Sequence, residues 1–118
     1  MLASLEDTLS GLRAHAGESL VAVDIWETDS ALSLAGFGTT AATGPMLHRI
    51  THDLRHAAAL TGTGLDDYHV LTVGGGLVAV VHRPHLSAGL LLTDDATLAW
   101  VVTEVIPAVR ASLDAVSV

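Results

Sequence analysis

The sequence predicts an α+β domain in the order α-β-β-α-β-β-β-α, built as a five-stranded antiparallel sheet with two helices on one face and one on the other. Between Asp67 and Thr93, the apolar runs 70–73, 77–81 and 88–92 are separated by Gly74-Gly75-Gly76 and by Arg83-Pro84, the pattern of an antiparallel meander. The middle run, Leu77-Val78-Ala79-Val80-Val81, is apolar at both alternating sets of positions. Successive side chains of a strand point to opposite faces, so that strand needs cover above and below. Three amphipathic stretches, one at each end of the chain and one across Leu47 to Ala58, are available to supply it.

Leu2, Leu5, Leu9 and Leu12 fall on one side of a first helix whose other side carries Glu6, Asp7 and Arg13, and Gly17 suits its end. Residues 20–26 read as a strand, Glu27-Thr28-Asp29-Ser30 as a turn, and 31–37 as a weaker returning strand. After the small, polar stretch 38–44, Pro45 fits the first turn of a second helix, where its missing N–H is no loss. Leu47, Ile50, Leu54, Ala57 and Ala58 form its apolar stripe, and Gly62 and Gly64 stop it. In the last helix, Asp94 or Asp95 is the expected cap, and Leu98, Val101, Val102, Val105, Val109 and Leu113 the buried stripe. Pro107 interrupts that stripe, removing a hydrogen bond to the Thr103 carbonyl at up to ~3 kcal/mol, so a kink or local unwinding is expected there. Ser117 and Val118 are expected to fray. Residues 1–118 read as one domain without repeats or linkers.

The composition closes several functional classes. The 118 residues contain no Cys, which excludes disulfides, thiolate zinc sites and Cys nucleophiles and suits a reducing, cytoplasmic compartment. Lys, Asn and Gln are also absent, and five Arg against 13 acidic residues give a formal charge of −8, which disfavours nucleic-acid binding. The N-terminus lacks the cationic start and apolar core of a signal peptide, and no run approaches the ~20 apolar residues that span a bilayer. No membrane insertion and no cofactor are expected. Gly74-Gly75-Gly76 is followed by a strand and no Lys, so it reads as a hairpin turn rather than a phosphate loop. No Gly-x-Ser-x-Gly elbow marks a serine hydrolase, and no catalytic residue is assigned. Trp26 and Trp100 read as local packing anchors.

Area then argues for association. Five strands at ~4.8 Å spacing make a sheet ~24 Å across, whereas a helix is ~10 Å wide. The first and last helices together cover one face, but the second helix alone leaves apolar sheet beside it, and a second protein is the simplest cover.

On the second helix His48, His52 and His56 recur at intervals of four, flanked by Arg49 and Arg55, on the side away from Leu47, Ile50 and Leu54. An acidic protein thus offers one cationic stripe suited to an acidic partner. The plain alternative is a solvated helix face. Histidines at i and i+4 can also grip a zinc or nickel ion, but neither Cys nor carboxylate completes the set on the stripe, so no metal is assigned. Clustered histidines also allow a pH-sensitive contact. His82-Arg83-Pro84-His85 reads as a solvated polar turn, and His69 as a packed interface residue.

The chain resembles the roadblock/dynein light chain family, of longin-like fold and similar to bacterial domains of the MglB type. The features that carry the resemblance are Gly17 before a hairpin strand, the small-residue bridge into the Pro45–Leu47 helix, strand 68–73, the glycine turn, and Leu86-Ser87-Ala88-Gly89-Leu90-Leu91-Leu92 before the last helix. Ser87 stands where an Asn is common in the family and Leu92 where a basic residue is common. The resemblance implies a homodimer made by pairing the third strands edge to edge, with the two second helices antiparallel. That interface would draw on Leu47, Ile50, Leu54, Tyr68, His69, Val70, Leu71 and Val73. It also implies a non-enzymatic regulator or scaffold that binds a small Ras-like GTPase, in some members as its activator. His48, Arg49, His52, Arg55 and His56 are the expected partner-binding residues. The alternatives are a structural adaptor homodimer without a nucleotide-dependent partner, and a His-based metal- or pH-responsive module.

Overall fold

The structure, a computed structural model, describes residues 4–38, 43–62 and 67–116. Leu2 of the expected first stripe, the helix stop Gly64, the fraying pair Ser117 and Val118 and the side chain of Val73 lie outside that description.

Helix α1 (Leu5–Ala16) begins with a reciprocal cap: the Ser4 hydroxyl accepts from the Asp7 N–H at 3.1 Å, and the Asp7 carboxylate accepts from the Ser4 N–H. Gly17, at φ 62°, ends it as expected. A 3₁₀ turn (Gly17–Ser19) leads into β1 (Leu20–Glu27). Strand β2 is Ser33–Phe37, two residues shorter than the alternation suggested, because Ala31 adopts φ 61° and turns the chain. Next come α2 (Thr43–Leu60), β3 (Tyr68–Val73), β4 (Gly76–His82) and β5 (Leu86–Thr93). All neighbouring strands are antiparallel, in the order β2-β1-β5-β4-β3, which puts β3 at an edge. The glycine turn is a two-residue connection, with Val73 opposite Gly76 and Gly75 at φ 85°.

Two expectations for the last helix are corrected. Neither Asp94 nor Asp95 caps it. After β5 a turn at Asp94 and Asp95, closed by the Ala96 N–H donating to the Thr93 carbonyl at 3.1 Å, comes before the cap Thr97, whose hydroxyl accepts from the Trp100 N–H at 3.1 Å, while Asp95 accepts instead from the Thr93 hydroxyl. The helical path then runs through α3 (Leu98–Trp100), a π-helical turn (Val101–Val105) and α4 (Ile106–Asp114). The Ile106 N–H reaches back five residues to the Val101 carbonyl, just before Pro107, so the expected unwinding takes the form of a widened turn. Inserting one residue shifts the register: Val105 and Ile106 are both buried, whereas Val102, expected in the stripe, is only half-buried.

The two faces of the sheet are unequally covered. Against α1 and the last helix, Val23 and Ile25 of β1, Leu77, Ala79 and Val81 of β4, and the even-numbered residues 86–92 of β5 join a cluster of 19 buried hydrophobic residues. The cluster under α2 has four, Trp26, Ala31, Leu47 and Val80, among the described residues. No helix among those residues is long and apolar enough to cross a membrane.

Helix α2 is rolled relative to the expected stripe. Its buried residues are Gly44, Leu47 and Thr51, while Ile50 and Leu54 are only half-buried. At 100° per residue the roll is roughly 60° toward the His48 and Arg55 side. Small residues permit it: a Cβ on Gly44 would lie 2.6 Å from Asp24 Oδ2, and one on Gly89 would collide with Leu47 Cδ1. Gly44 lies over β1, Leu47 over Gly89 and Trp26, and Thr51 reaches His69 of β3. The helix therefore crosses the sheet and leaves it at the β3 edge. None of its last nine residues is buried, and Leu60 is 76% exposed.

Candidate functional site

Three cross-strand rows run beneath or beside α2. The pairing register aligns His69, Val80, Gly89 and Asp24 in the row directly below it. On one side, Leu71, Val78 and Leu91 form a second row, each half-buried. On the other, His82, Ser87 and Trp26 form a third. This last row and α2 frame an open depression of about 390 Å³. His48, Thr51, His52 and Arg55 of α2 form one wall, and His82, Arg83 and Pro84 the other, with Thr28 and Asp67 at the ends.

His82 is not a solvated turn residue. It ends β4 on the inner face, 7% exposed, edge-on to Trp26 at 6.1 Å and stacked on His69 at 6.2 Å. Counting protons settles its tautomer. Thr28 has one hydroxyl proton and donates it to the Arg83 carbonyl at 2.8 Å. Ser87 Oγ, 2.8 Å from Thr28 Oγ1, must therefore be the donor between those two hydroxyls. His82 Nδ1, 2.8 Å from Ser87 Oγ, must then donate to it. The neutral ring consequently carries its proton on Nδ1 and a lone pair on Nε2, which is buried and without a partner. Burial and then the nearby Arg55, His69 and His48, opposed by Asp67, lower the His82 pKa to about 4. Burial and Arg55 likewise lower that of His69, whose Nε2 lies 3.4 Å from Thr51 Oγ1.

An ion-pair chain stiffens the floor of the turn. Arg83 Nε and Nη2 grip Asp114 at 2.8 and 2.9 Å, Arg83 Nη1 reaches Asp67 at 3.2 Å, and Arg110 donates to the other Asp67 oxygen at 2.8 Å. The start of β3, the β4–β5 turn and α4 are thus tied together. At the opposite end of α2, Asp24 is 1% exposed; Ser33 donates to its Oδ1 at 2.5 Å, and burial raises its pKa.

The expected cationic stripe is therefore divided. His48, half-buried, and the exposed His52 and Arg55 line the depression, whereas Arg49 and His56 face outward, with Arg49 paired to Asp53 at 3.5 Å. No three His, Asp or Glu side chains among the described residues are grouped closely enough to hold a metal ion. Of the residues expected at a dimer contact, Tyr68 and Val70 lie half-buried against the α1 and α4 side, and His69 is buried toward α2. Leu71 lies in the half-open row, and Ile50 and Leu54 on the α2 flank above it. Sequence reading missed His82 and Ser87 as site residues. Strand parity held the signal, since His82 shares a face with Val78 and Val80, and Ser87 with Gly89.

The sequence matches no protein-family model and no curated protein. Solved structures do resemble it. A roadblock/LC7 domain from Streptomyces avermitilis superposes with a TM-score of 0.69 at 15% identity, over 95% of this chain and 97% of that one. MglB from Myxococcus xanthus gives 0.68 at 10% identity, over 96% and 91%. An MglB described with a tetrameric arrangement gives 0.73 at 14% identity, over 92% and 85%. The element order, the sheet with β3 at its edge and these superpositions together establish that the chain has the roadblock/LC7 fold.

Proposed function

We propose that the chain is a dimeric, non-catalytic regulator or scaffold that binds a small Ras-like GTPase, dimerising along β3 and the apolar flank of α2 and meeting its partner with the cationic flank. The observation that carries this reading is the unfinished α2 side of the sheet. Half a helix projects past the β3 edge with no buried residue, above the half-open row Leu71, Val78 and Leu91. An open strand edge beside uncovered apolar surface favours pairing with another chain. At 100° per residue, Met46, Ile50, Leu54 and Ala57 fall on the flank over that row, and His48, His52, Arg55 and His56 on the opposite one. A twofold dimer built on the first flank leaves the second free for an acidic surface. The family resemblance supplies the GTPase, and the MglB superpositions agree with it at the level of fold.

The test is retention of candidate small GTPases from the same genome, loaded with GDP or with a non-hydrolysable GTP analogue, on the immobilised chain. A regulator retains one nucleotide state preferentially and loses it when Arg49, His52 and His56 are replaced by Glu. Equal retention of both states, unaffected by those changes, points to the adaptor reading instead.

A further inference from the structure

Given dimerisation along β3, on which this step rests, we propose that the two β3 strands pair in the register that sets Val70 opposite Val70, so that each copy's α2 lays its last nine residues over the half-open row Leu71, Val78 and Leu91 of the other. Hydrogen-bond parity selects this register. In an antiparallel ladder, directly opposed residues alternate between pairs that exchange both backbone bonds and pairs that exchange none. The His82 N–H donates to the Asp67 carbonyl at 2.7 Å, and the ladder continuing from there pairs His69 with Val80, Leu71 with Val78 and Val73 with Gly76. Residues 67, 69, 71 and 73 therefore spend their backbone groups on β4, and Tyr68, Val70 and Thr72 turn theirs outward at the edge. With Val70 on the twofold axis all three are used, Tyr68 bonding Thr72 of the other copy and Val70 its own counterpart. Centring the axis on His69 or on Leu71 leaves Thr72 or Tyr68 without a partner in β3.

Cover of the sheet selects the same register. Helix α2 follows the row Asp24, Gly89, Val80 and His69 and leaves it at the β3 edge. Across an axis at Val70, His69 faces Leu71 of the other copy, so the row continues as that copy's Leu71, Val78 and Leu91, the row its own α2 leaves half-open. The nine residues beyond Thr51 make about 13 Å of helix, and three strands at ~4.8 Å span about 14 Å. Adjacent rows lie ~7 Å apart along a strand, close to the roughly 8–10 Å at which helices pack, so the two α2 helices run antiparallel in contact. An axis at His69 would instead drive both helices onto one row, and an axis at Leu71 would carry each toward Gly76 and Thr93 at the end of the other sheet.

The chain has no Cys, so single-cysteine variants report the register by disulfide cross-linking. Oxidation of Val70→Cys with glutathione disulfide should give a covalent dimer, because opposed residues of a bonded pair lie ~5.5 Å apart at Cα, inside the roughly 4.4–6.8 Å that a disulfide spans. His69→Cys and Leu71→Cys should each stay uncross-linked alone, since each stands ~8 Å from its own counterpart, while a mixture of the two should join one to the other. A covalent dimer of His69→Cys or Leu71→Cys alone, or no cross-link from Val70→Cys in a chain that sediments as a dimer, overturns the register and leaves the dimer standing. A monomer by sedimentation overturns both. If His69→Cys fails to fold, Val70→Cys and Leu71→Cys still decide the register.

Discussion

Lowering the pH from about 7 to about 5 should destabilise this protein chiefly through His82. Its ring is held neutral in the folded state, with a pKa of about 4 against an ordinary 6.5, so over the interval between them the unfolded chain binds a proton that the native chain refuses. Stability therefore falls as pH drops through that window and is fully retained above it. At 1.36 kcal/mol per pKa unit, the 6.5-to-4 gap is worth about 3 kcal/mol, of which about 2 kcal/mol is lost by pH 5. His69, lowered by the same burial, acts in the same direction. Urea denaturation at a series of pH values measures the loss; Asp24, whose pKa burial raises, acts in the opposite direction in wild type and variant alike, so the comparison of the two isolates His82. In His82→Phe the fall between pH 7 and pH 5 should shrink by about 2 kcal/mol, whatever the variant's stability at neutral pH. Parallel profiles for wild type and variant would refute the assignment of His82 as a buried ring held neutral.

Three further outcomes follow from packing and charge. Gly89→Ala places a methyl against Leu47 Cδ1 and 3.2 Å from Trp26 Cζ3, so it should lift α2 and cost about 1–3 kcal/mol in thermal or urea unfolding. The double variant Gly89→Ala/Leu47→Ala should then be more stable than the sum of the single losses, because the clash is removed. Arg83→Ala breaks the ties to Asp67 and Asp114, but these side chains are 29–48% exposed, so the loss should be about 1 kcal/mol and should diminish in high salt. Gly76→Ala should destabilise more than a typical surface change, since its methyl would meet the Leu92 carbonyl, which cannot rotate away.

The sheet was legible because period-two alternation and glycine turns are local signals, and β3 emerged at the edge as the resemblance implied. The roll of α2 was not legible. Its stripe Leu47, Ile50 and Leu54 is the most apolar arc of the helix, yet contact is governed by where the sheet allows close approach, at Gly89 and beside Asp24 under Gly44. The same roll turns His48 and Arg55 toward His82, a meeting of residues more than 25 positions apart that no local pattern signals. Pro107 correctly marked a disruption, but the choice of a π turn depends on burying both Val105 and Ile106. Capping falls to Thr97 rather than to an aspartate because Asp94 and Asp95 are spent in a turn that separates β5 from the helix.

Sedimentation equilibrium on the purified chain tests most directly whether the α2 side is completed by a second copy. A mass twice the 12.1 kDa of the chain is expected, reverting toward the single value when Leu71 or Ile50 is replaced by Glu. A 12.1 kDa species persisting at high concentration, with the amides of the last nine residues of α2 strongly protected from exchange, would contradict it.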